Sequence, residues 1–256
     1  MVEYAIIGGT GVYGLDGDSR EEVVDTRYGS VKVYVQKHGE KEIAFLPRHG
    51  AGHSTPPHMI NYRANIKALE SIGVKKILAT AAVGSLNFSY PPGSLVVLEQ
   101  FVDFTRFRPH TFYDGEEGVI HVDMADPYCR DLSRALEDTA PTAGTIISGR
   151  GTYICVEGPR FETRAEISFY RSIGGDLVGM TNVPEVVLAR ELGICYSAVG
   201  IVTNWCNGMV SSHISHSEIK TIMDTGREQL LKLFIKVFNN AGSDGNCGCG
   251  EGIIRI

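Results

Sequence analysis

The segment DLVGMTNVPEVVLARELGICYSAVGIVTN, residues 176–204, contains the pattern that decides the fold class. Residues 176–181 and 195–203 are short apolar runs typical of buried strands, and residues 185–193 between them have the spacing of an amphipathic helix. Strands and helices alternate in this way along most of the chain. The alternation predicts an α/β fold in which helices flank a mostly parallel or mixed sheet.

The remaining predicted elements have the same two periodicities. The other predicted strands span residues 4–9, 31–36, 42–47, 75–80, 94–99 and 152–157, and the other predicted helices span 62–73, 127–140 and 217–239. Ser215 and Glu218 are spaced as a capping box for the last helix. With no linker or internal repeat in between, we expect one domain over residues 1–240. A Gly-rich tail, 241–256, should be mobile or strap an interface.

Composition excludes several classes of function. The chain has 256 residues, 43% hydrophobic and 21% charged, with a formal net charge of −6, so it lacks the basic field that a nucleic-acid polymer would require. Residues 1–4 lead directly into an apolar strand without a basic segment, and no apolar run approaches about 18 residues. We therefore expect a cytoplasmic protein without a membrane partner.

The six cysteines form two groups by context. Four are scattered singly and are typical of reduced, buried thiols: Cys129, Cys155, Cys195 and Cys206. Cys247 and Cys249 form a C-x-C pair in the tail, which would bind metal, form a disulfide or have no role. Without a nearby histidine or a second pair, zinc is disfavoured, and we predict no metal site. A disulfide would fit a hyperthermophilic source.

A glycine-rich turn follows the first predicted strand. Gly9, Gly11 and Gly14 match the spacing of a dinucleotide-binding fingerprint. However, residues 15–19 are turn-like where the fingerprint requires a helix, and no strand ending in an acidic residue follows about 20 positions on. An NAD site is therefore disfavoured. The turn instead offers backbone N–H groups and the Thr10 hydroxyl as a cradle for an oxyanion.

Arg48 and His49 directly follow a predicted strand, and His53 and His58 follow in a proline-containing loop. An arginine supplies a planar, permanently charged group for phosphate. Two alternatives remain: a metal site made of the three histidines, which lacks a carboxylate, and an exposed basic turn without function.

Phe161 and Glu162 lie between a predicted strand and a helical stretch. An aromatic ring beside a carboxylate suits a planar heterocycle, with the ring stacked on its face and the carboxylate accepting from an N–H edge. The alternative is an ordinary helix N-terminus, where Glu is favoured. Asn204, at the end of a buried strand, similarly suits either a ligand contact or the start of a turn.

Several of these segments together resemble one enzyme family. The motifs IIGGTG, RHG, NYRANI, EGPRFET, GMTNVPEVVLARELGICY and VTN are similar, in this order, to those of the trimeric purine nucleoside and methylthioadenosine phosphorylases. The resemblance covers about residues 3–238. It implies one α/β domain around a partly barrelled mixed sheet and reversible phosphorolysis of a purine nucleoside to the base and ribose 1-phosphate. It also implies no metal or organic cofactor and a homotrimer or homohexamer.

The resemblance also implies roles for individual residues. Those expected to bind phosphate are Thr10, Arg48, His49, Ala81, Ala82 and Thr181, with Ala81 and Ala82 in the loop after residues 75–80. Those expected to meet the nucleoside are Phe161, Glu162, Met180, Asn204, Cys206 and His216, with His121 closing a neighbouring subunit's site. Asn204 and His49 are the expected catalytic residues, because a donor at purine N7 stabilises the charge that collects on the departing base.

The choice of purine depends on a few positions. Methylthioadenosine members have Asp where this chain has Asn204, and a second Asp at the position of Cys206. Glu162 would accept from the N1–H of a 6-oxopurine and repel adenine N1, which is an acceptor. His216 resembles the histidine that bonds the ribose 5′-hydroxyl in 6-oxopurine members. We therefore expect an inosine and guanosine phosphorylase of purine salvage; a methylthioinosine or methylthioadenosine phosphorylase is the alternative.

Overall fold

The computed structural model describes residues 2–9, 19–50, 54–115, 118–211, 216–241 and 247–256. Eleven strands lie in these ranges: β1 (Tyr4–Gly8), β2 (Arg20–Thr26), β3 (Gly29–His38), β4 (Lys41–Pro47), β5 (Lys76–Ser85), β6 (Leu95–Phe104), β7 (Ile120–Val122), β8 (Gly149–Val156), β9 (Leu177–Gly179), β10 (Cys195–Trp205) and β11 (Ile253–Arg255). The α-helices there are α1 (Tyr62–Ser71), α2 (Arg130–Thr139), α3 (Arg164–Ser172), α4 (Asn182–Glu191) and α5 (His216–Asn240).

Nine strands form one mixed sheet in the order β10-β6-β8-β9-β5-β1-β4-β3-β2. An additional pairing between β10 and β5 closes the first five of these strands into a ring, which is a small barrel. Beyond the ring the sheet continues through β1, β4, β3 and β2. The predicted α/β fold with a partly barrelled sheet is therefore confirmed.

The strand β5 belongs to both parts of the sheet. One side pairs with β10 along its whole length, and the other pairs first with β1 and then with β9. The strands β1, β4, β5 and β10 run parallel, so their carboxyl ends meet at one edge. In open parallel sheets this edge is where ligands bind, and three predicted site residues, Arg48, His49 and Cys206, directly follow β4 or β10.

Apolar side chains cover both faces of the sheet. One core cluster packs α1 and α4 against it, and a second packs α2 and α5 on the opposite face. Phe234 and Phe238 of α5 are completely buried, as the periodicity of residues 217–239 predicted. Each such side chain contributes about 1.5–3 kcal/mol through burial, which holds the strand ends that support the site.

Several boundaries differ from the sequence predictions. β5 continues to Ser85, so Ala81 and Ala82 lie within a strand and not in a loop. β10 continues to Trp205, so Asn204 is a strand residue, not the start of a turn. The strand β2 was not predicted, because it is an edge strand whose polar sequence, REEVVDT, hides its alternation.

The tail was predicted to be mobile or to strap an interface, and the structure pairs the end of it with the domain itself. The strand β11 pairs with β7 in antiparallel register, and Ile256 and Val119 exchange two backbone hydrogen bonds. Cys249 is buried. Ser215 of the predicted capping box lies outside the described residues. None of the helices in the described ranges combines the length and the apolar composition needed to cross a bilayer.

Candidate active site

Arg48 lies at the carboxyl end of β4 and is buried. Its backbone N–H donates to the carbonyl of Gly8, which fixes it beside the end of β1. Its Nε and Nη2 both donate to the carboxylate of Glu185 at 2.7 Å, and Nη1 donates to the carbonyl of Thr80 at 2.8 Å. The Arg48 and Glu185 side chains are 1% and 0% exposed. The alternative of an exposed basic turn at Arg48 is therefore wrong.

A chain of buried polar groups supports this ion pair. The hydroxyl of Tyr196 donates to Glu185 at 2.6 Å and accepts from the amide of Asn182 at 2.9 Å. The Asn182 carbonyl oxygen in turn accepts from the hydroxyl of Tyr128 at 2.6 Å. We call this group the Arg48 cluster; it comprises Arg48, Thr80, Tyr128, Asn182, Glu185 and Tyr196. Buried polar networks of this kind are rigid when each group has a partner.

The charge of Arg48 is held in place by Glu185. Burial would lower the pKa of the guanidinium, but the charge and hydrogen bonds of Glu185 outweigh it, so the Arg48 pKa is raised. A guanidinium has five N–H groups. Among the described residues, three of them are used, and one hydrogen remains on Nη1 and one on Nη2. The planar fork therefore faces Glu185, and these two hydrogens are those left for an anion.

Three other predicted phosphate ligands are His49, next to Arg48 in sequence, and Ala81 and Ala82, which follow Thr80 on β5. His49 is buried, and its Nδ1 lies 2.9 Å from the Thr55 carbonyl. Because a carbonyl only accepts, this nitrogen carries the proton. Ala81 is buried, whereas Ala82 is exposed although it lies inside the barrel strand β5. An exposed residue in such a strand faces a solvent-accessible space at the edge of the sheet.

Thr181 directly precedes α4, which carries Asn182 and Glu185. It is buried, and its backbone N–H donates to the Tyr153 hydroxyl at 3.1 Å. The structure describes no side-chain cap of α4 by Thr181. Its hydroxyl is therefore not used to begin the helix.

Asn204 is oriented by an irregularity in β10. The register with β5 shifts between Val202, opposite Val83, and Asn204, opposite Gly84, so that Thr203 is an extra residue. The Thr203 hydroxyl lies 2.7 Å from the Asn204 carbonyl oxygen, and the Asn204 amide nitrogen donates to the Trp205 carbonyl at 3.0 Å. Bulges commonly re-aim side chains near active sites. Here the two hydrogen bonds hold the Asn204 amide in one orientation.

Glu162 lies in the loop between β8 and α3. It is 8% exposed, and burial raises the pKa of its carboxyl. The backbone carbonyl of Glu162 accepts from the Asn207 amide at 2.8 Å. α3 begins at Arg164 with Thr163 as its N-cap, so Glu162 precedes the helix and is not part of its first turn. The helix-terminus interpretation of Glu162 is therefore wrong.

Cys206 connects Glu162 to the end of β10. Burial, and then the charge of Glu162, raise the pKa of its thiol. A Cβ added to Gly84 would lie 2.6 Å from Cys206 Sγ and 3.3 Å from Asn204 Nδ2, so all three lie close together. Small residues at these positions leave room beside the amide of Asn204.

Phe161 and Met180 lie on two different connections, Phe161 between β8 and α3 and Met180 between β9 and α4. The Phe161 ring is 69% exposed, although it is large and apolar. Met180 packs against the turn that precedes Phe161: a Cβ on Gly158 would come within 2.6 Å of the Met180 sulfur. We call the second group the Glu162 cluster; it comprises Phe161, Glu162, Met180, Asn204 and Cys206.

The two clusters are connected by β5. Thr80 belongs to the Arg48 cluster and Gly84 contacts the Glu162 cluster, and four residues of extended strand span about 13 Å. One ligand with an anionic end and a planar end fits this arrangement. His121 is exposed on β7, which pairs with β11 and not with the nine-stranded sheet. Thr10 and the side chain of His216 lie outside the described residues.

Metal-binding groups are not found at this site within the described ranges. The one group of His, Cys, Asp and Glu side chains there that is close enough to share an ion consists of four cysteines elsewhere in the fold. His58 lies in a short 3-10 helix, Pro57–Met59, with a buried Nδ1 that has no described partner. His53 lies outside the described residues.

Sequence reasoning missed the partners of Arg48. Glu185 occurs in the run PEVVLA, where a carboxylate among apolar residues was a usable signal, since a buried charge is almost always paired. Tyr196 and Asn182 gave no such signal, because tyrosine and asparagine are common in both cores and turns.

Comparisons with known proteins agree with this fold. The model of the phosphorylase superfamily matches residues 3–239. A 6-oxopurine nucleoside phosphorylase of Pyrococcus furiosus is 50% identical, covering 99% of this chain and 98% of its own. A probable S-methyl-5′-thioinosine phosphorylase of Methanothermobacter thermautotrophicus is 44% identical, covering 95% of this chain and 86% of its own.

Among solved structures, a methylthioadenosine phosphorylase from an Antarctic soil metagenomic library superimposes with a TM-score of 0.89. It is 33% identical, and the match covers 98% of this chain and 91% of that one. Fold, site and relatives together define an α/β phosphorylase. The chain belongs to the phosphorylase superfamily, as the sequence motifs predicted.

Proposed function

We propose that this protein catalyses the reversible phosphorolysis of 6-oxopurine nucleosides, inosine and guanosine, to the free base and ribose 1-phosphate. Relatives named for 6-oxopurine nucleosides are 48–51% identical to this chain, and those named for methylthio nucleosides are 42–44% identical. The observation that carries the choice of purine is the hydrogen bonding of Asn204, argued below.

The Asn204 amide favours a 6-oxopurine. Its carbonyl oxygen accepts from Thr203 and one Nδ2 hydrogen bonds to the Trp205 carbonyl, which leaves the second Nδ2 hydrogen as a donor for the base. In a 6-oxopurine both N7 and O6 accept hydrogen bonds, whereas adenine has a 6-amino donor beside N7. A donor held at this position therefore suits inosine and guanosine better than adenosine.

Glu162 favours the same choice. An ionised carboxylate accepts from the N1–H of hypoxanthine and from the N1–H and 2-amino group of guanine, and it repels the N1 of adenine. Leaving this buried carboxylate without a donor would cost about 1–3 kcal/mol, equivalent to roughly ten- to hundredfold selectivity. Phe161, which is 69% exposed, is available to stack on the base.

The proposed chemistry separates charge along β5. As the glycosidic bond breaks, the ribose gains oxocarbenium character and the purine gains negative charge. Phosphate offsets the positive charge on the ribose, and it would be held near Arg48, His49, Thr181 and the Ala81–Ala82 backbone. The Asn204 N–H at N7 stabilises the negative charge on the purine. In this proposal phosphate is a co-substrate, and the reaction needs no organic cofactor or catalytic metal.

Two features of the proposal involve groups outside the described part of the structure, Thr10 and the side chain of His216. Thr10 would add a hydroxyl to the phosphate site, and His216 would bond the ribose 5′-hydroxyl. We also propose a cytoplasmic homo-oligomer in which His121 closes the site of a neighbouring subunit; its exposure on β7 supports this.

The test is phosphate-dependent release of base from five nucleosides side by side: inosine, guanosine, adenosine, methylthioadenosine and methylthioinosine. The proposal expects the highest kcat/KM for inosine and guanosine and no release without phosphate. Preference for methylthioinosine would assign the 5′ side to the methylthio alternative, and His216→Val should then leave the inosine-to-methylthioinosine ratio unmoved. Absence of phosphorolysis with all five would leave a nucleoside-binding protein.

A further inference from the structure

Four cysteines from three parts of the chain converge at the amino-terminal end of β10. Cys129 precedes α2, Cys195 opens β10, and Cys247 and Cys249 belong to the tail. Their Sγ atoms all lie within 4.8 Å of one another, and those of Cys195 and Cys247 are 3.1 Å apart. We call this group the cysteine cluster. From sequence, zinc was disfavoured because Cys247 and Cys249 had no second pair of ligands nearby. Cys129 and Cys195 supply that second pair in the structure.

The spacing suits a tetrahedral ion. Zinc–sulfur bonds of about 2.3 Å in a tetrahedron place sulfur atoms about 3.8 Å apart. The sulfur atoms of the cysteine cluster already approach this separation, so side-chain rotations would suffice to enclose an ion. All four cysteines are free thiols in the structure.

Two of the four cysteines are held by the barrel and its neighbouring helix. The Cys129 backbone N–H donates to the carbonyl of Tyr196 at 2.7 Å, and that of Cys195 donates to the carbonyl of Lys75 at 3.0 Å. These bonds place Cys129 directly beside the start of β10. Half of the candidate ligand set is therefore preorganised by regular structure.

The tail is held in a matching position. Arg190 of α4 donates to the carbonyl of Cys249 at 3.1 Å and to that of Asp123 at 3.2 Å. The pairing of β11 with β7 fixes the residues that follow. The approach of Cys247 and Cys249 to the other two thiols therefore has support from backbone contacts on the side toward β11.

A metal ligand requires negative charge on sulfur, and one feature beside the cluster favours it. The Cys129 thiol lies at the N-terminus of α2, where the helix dipole stabilises anions. The cavities that border the cluster are lined by basic and acidic side chains alike: Lys76, Arg130, Arg190, Asp123, Asp126, Asp131 and Glu251.

We propose that the cysteine cluster binds one thiophilic divalent cation, with Zn²⁺ as the representative ion, in a closed four-thiolate site. Four protein ligands leave no open coordination position, so the role is structural. Binding would release the thiol protons and tie the tail to α2 and β10. This inference is independent of the proposed reaction and revises the sequence-based expectation of no metal.

The experiment measures metal in the intact protein. The full chain is produced in zinc-supplemented medium, purified under reducing conditions without chelators, and analysed for zinc and free thiols. We expect one zinc per chain. After removal of zinc, Co²⁺ should give the absorption bands of tetrahedral cobalt thiolate. The double replacement Cys247→Ser and Cys249→Ser should lose both signals, while Cys155→Ser, a buried cysteine outside the cluster, should keep them.

Two outcomes would overturn the proposal, and both can be observed in the unaltered protein if the variants fail to fold. One is no zinc and no cobalt spectrum with all six thiols titratable, which would make the cluster simply packed thiols. The other is seen in a parallel preparation made without reductant: no zinc, with four thiols missing until a reductant is added, which would mean two disulfides. Metal bound equally by the double variant would place the ion elsewhere.

Discussion

The Arg48 cluster and the Glu162 cluster both contact strand β5 but are built in opposite ways. In the Arg48 cluster the ion pair is about 1% exposed, and hydrogen bonds of 2.6–2.9 Å connect each side chain to the next. In the Glu162 cluster, Phe161 is 69% exposed, and the carboxylate of Glu162 is buried near a thiol.

This difference separates two tasks. A phosphate site must hold the same charges for every substrate, and a closed network of buried partners keeps them fixed. A base site must discriminate between purines, which requires side chains with unused hydrogen-bonding capacity. The relatives carry names for 6-oxopurine and for methylthio nucleosides, and we expect such differences to lie in the Glu162 cluster.

The largest expected effect comes from Glu185→Gln, which removes the charge that balances Arg48. A buried guanidinium without its partner should cost about 3–5 kcal/mol of stability. Calorimetric unfolding would show a strongly lowered Tm, and the KM for phosphate should rise because Arg48 is no longer held.

The matched control is Glu137→Gln. Glu137 makes the same two-bond contact with Arg150, at 2.7 and 2.8 Å, but both side chains are about one-third exposed. Its loss should cost no more than about 1 kcal/mol. Equal losses in the two variants would show that burial does not distinguish the Arg48 cluster.

The next test separates stability from phosphate binding. Replacing both partners, Arg48→Met with Glu185→Leu, removes both buried charges. Such replacements are often neutral or stabilising, so Tm should recover relative to Glu185→Gln. Phosphorolysis should not recover, because the anion site has lost its cation. Recovery of the phosphate KM together with Tm would assign Arg48 a purely structural role.

A smaller effect is expected from the Glu162 cluster. Glu162→Gln should lower kcat/KM for inosine about ten- to hundredfold, since the amide no longer offers a charged acceptor to N1–H. Adenosine should gain relative to inosine, while Tm changes little. Asn204→Asp should move the same ratio further toward adenosine. An unchanged inosine-to-adenosine ratio in both variants would contradict base recognition by this cluster.

The smallest expected effect is a pH dependence with a defined sign. Burial raises the pKa of Glu162 above its ordinary value of 4.5, and inosine requires the ionised form. Activity on inosine should therefore fall as pH decreases through this raised pKa. The measurement is the ratio of kcat/KM in the unaltered protein to that in Glu162→Gln between about pH 5 and pH 8. Phosphate ionisation cancels in this ratio, and a flat ratio would mean that Glu162 does not titrate in recognition.

Local patterns predicted the architecture well because the strands and helices of this fold are short, periodic and largely buried. Motifs also predicted that Arg48, Glu162 and Asn204 belong to one region. Periodicity could not reveal that Arg48 faces Glu185, since the two are 137 residues apart in sequence. They meet only because the fold brings the residue after β4 to α4.

The cysteines show the same limit. Cys129 and Cys195 were assigned as isolated thiols because nothing near them in sequence suggested a partner. Their proximity to Cys247 and Cys249 depends on where residues 247–249 lie, next to the start of β10, and on β11 pairing with β7. Long-range pairing of this kind leaves no periodic signal in a polar, glycine-rich segment.

If Asn204 recognises the base as proposed, the extra residue in β10 makes the chain length at this point a determinant of substrate choice. Side chains in a strand alternate between two faces, so the register shift at Thr203 sets the face to which Asn204 belongs. A substitution at position 204 changes the chemistry of the contact but keeps its direction. Loss or gain of one residue before it would instead turn the amide away and present its neighbour to the purine, so evolution of specificity here is constrained by insertions and deletions as well as by residue identity.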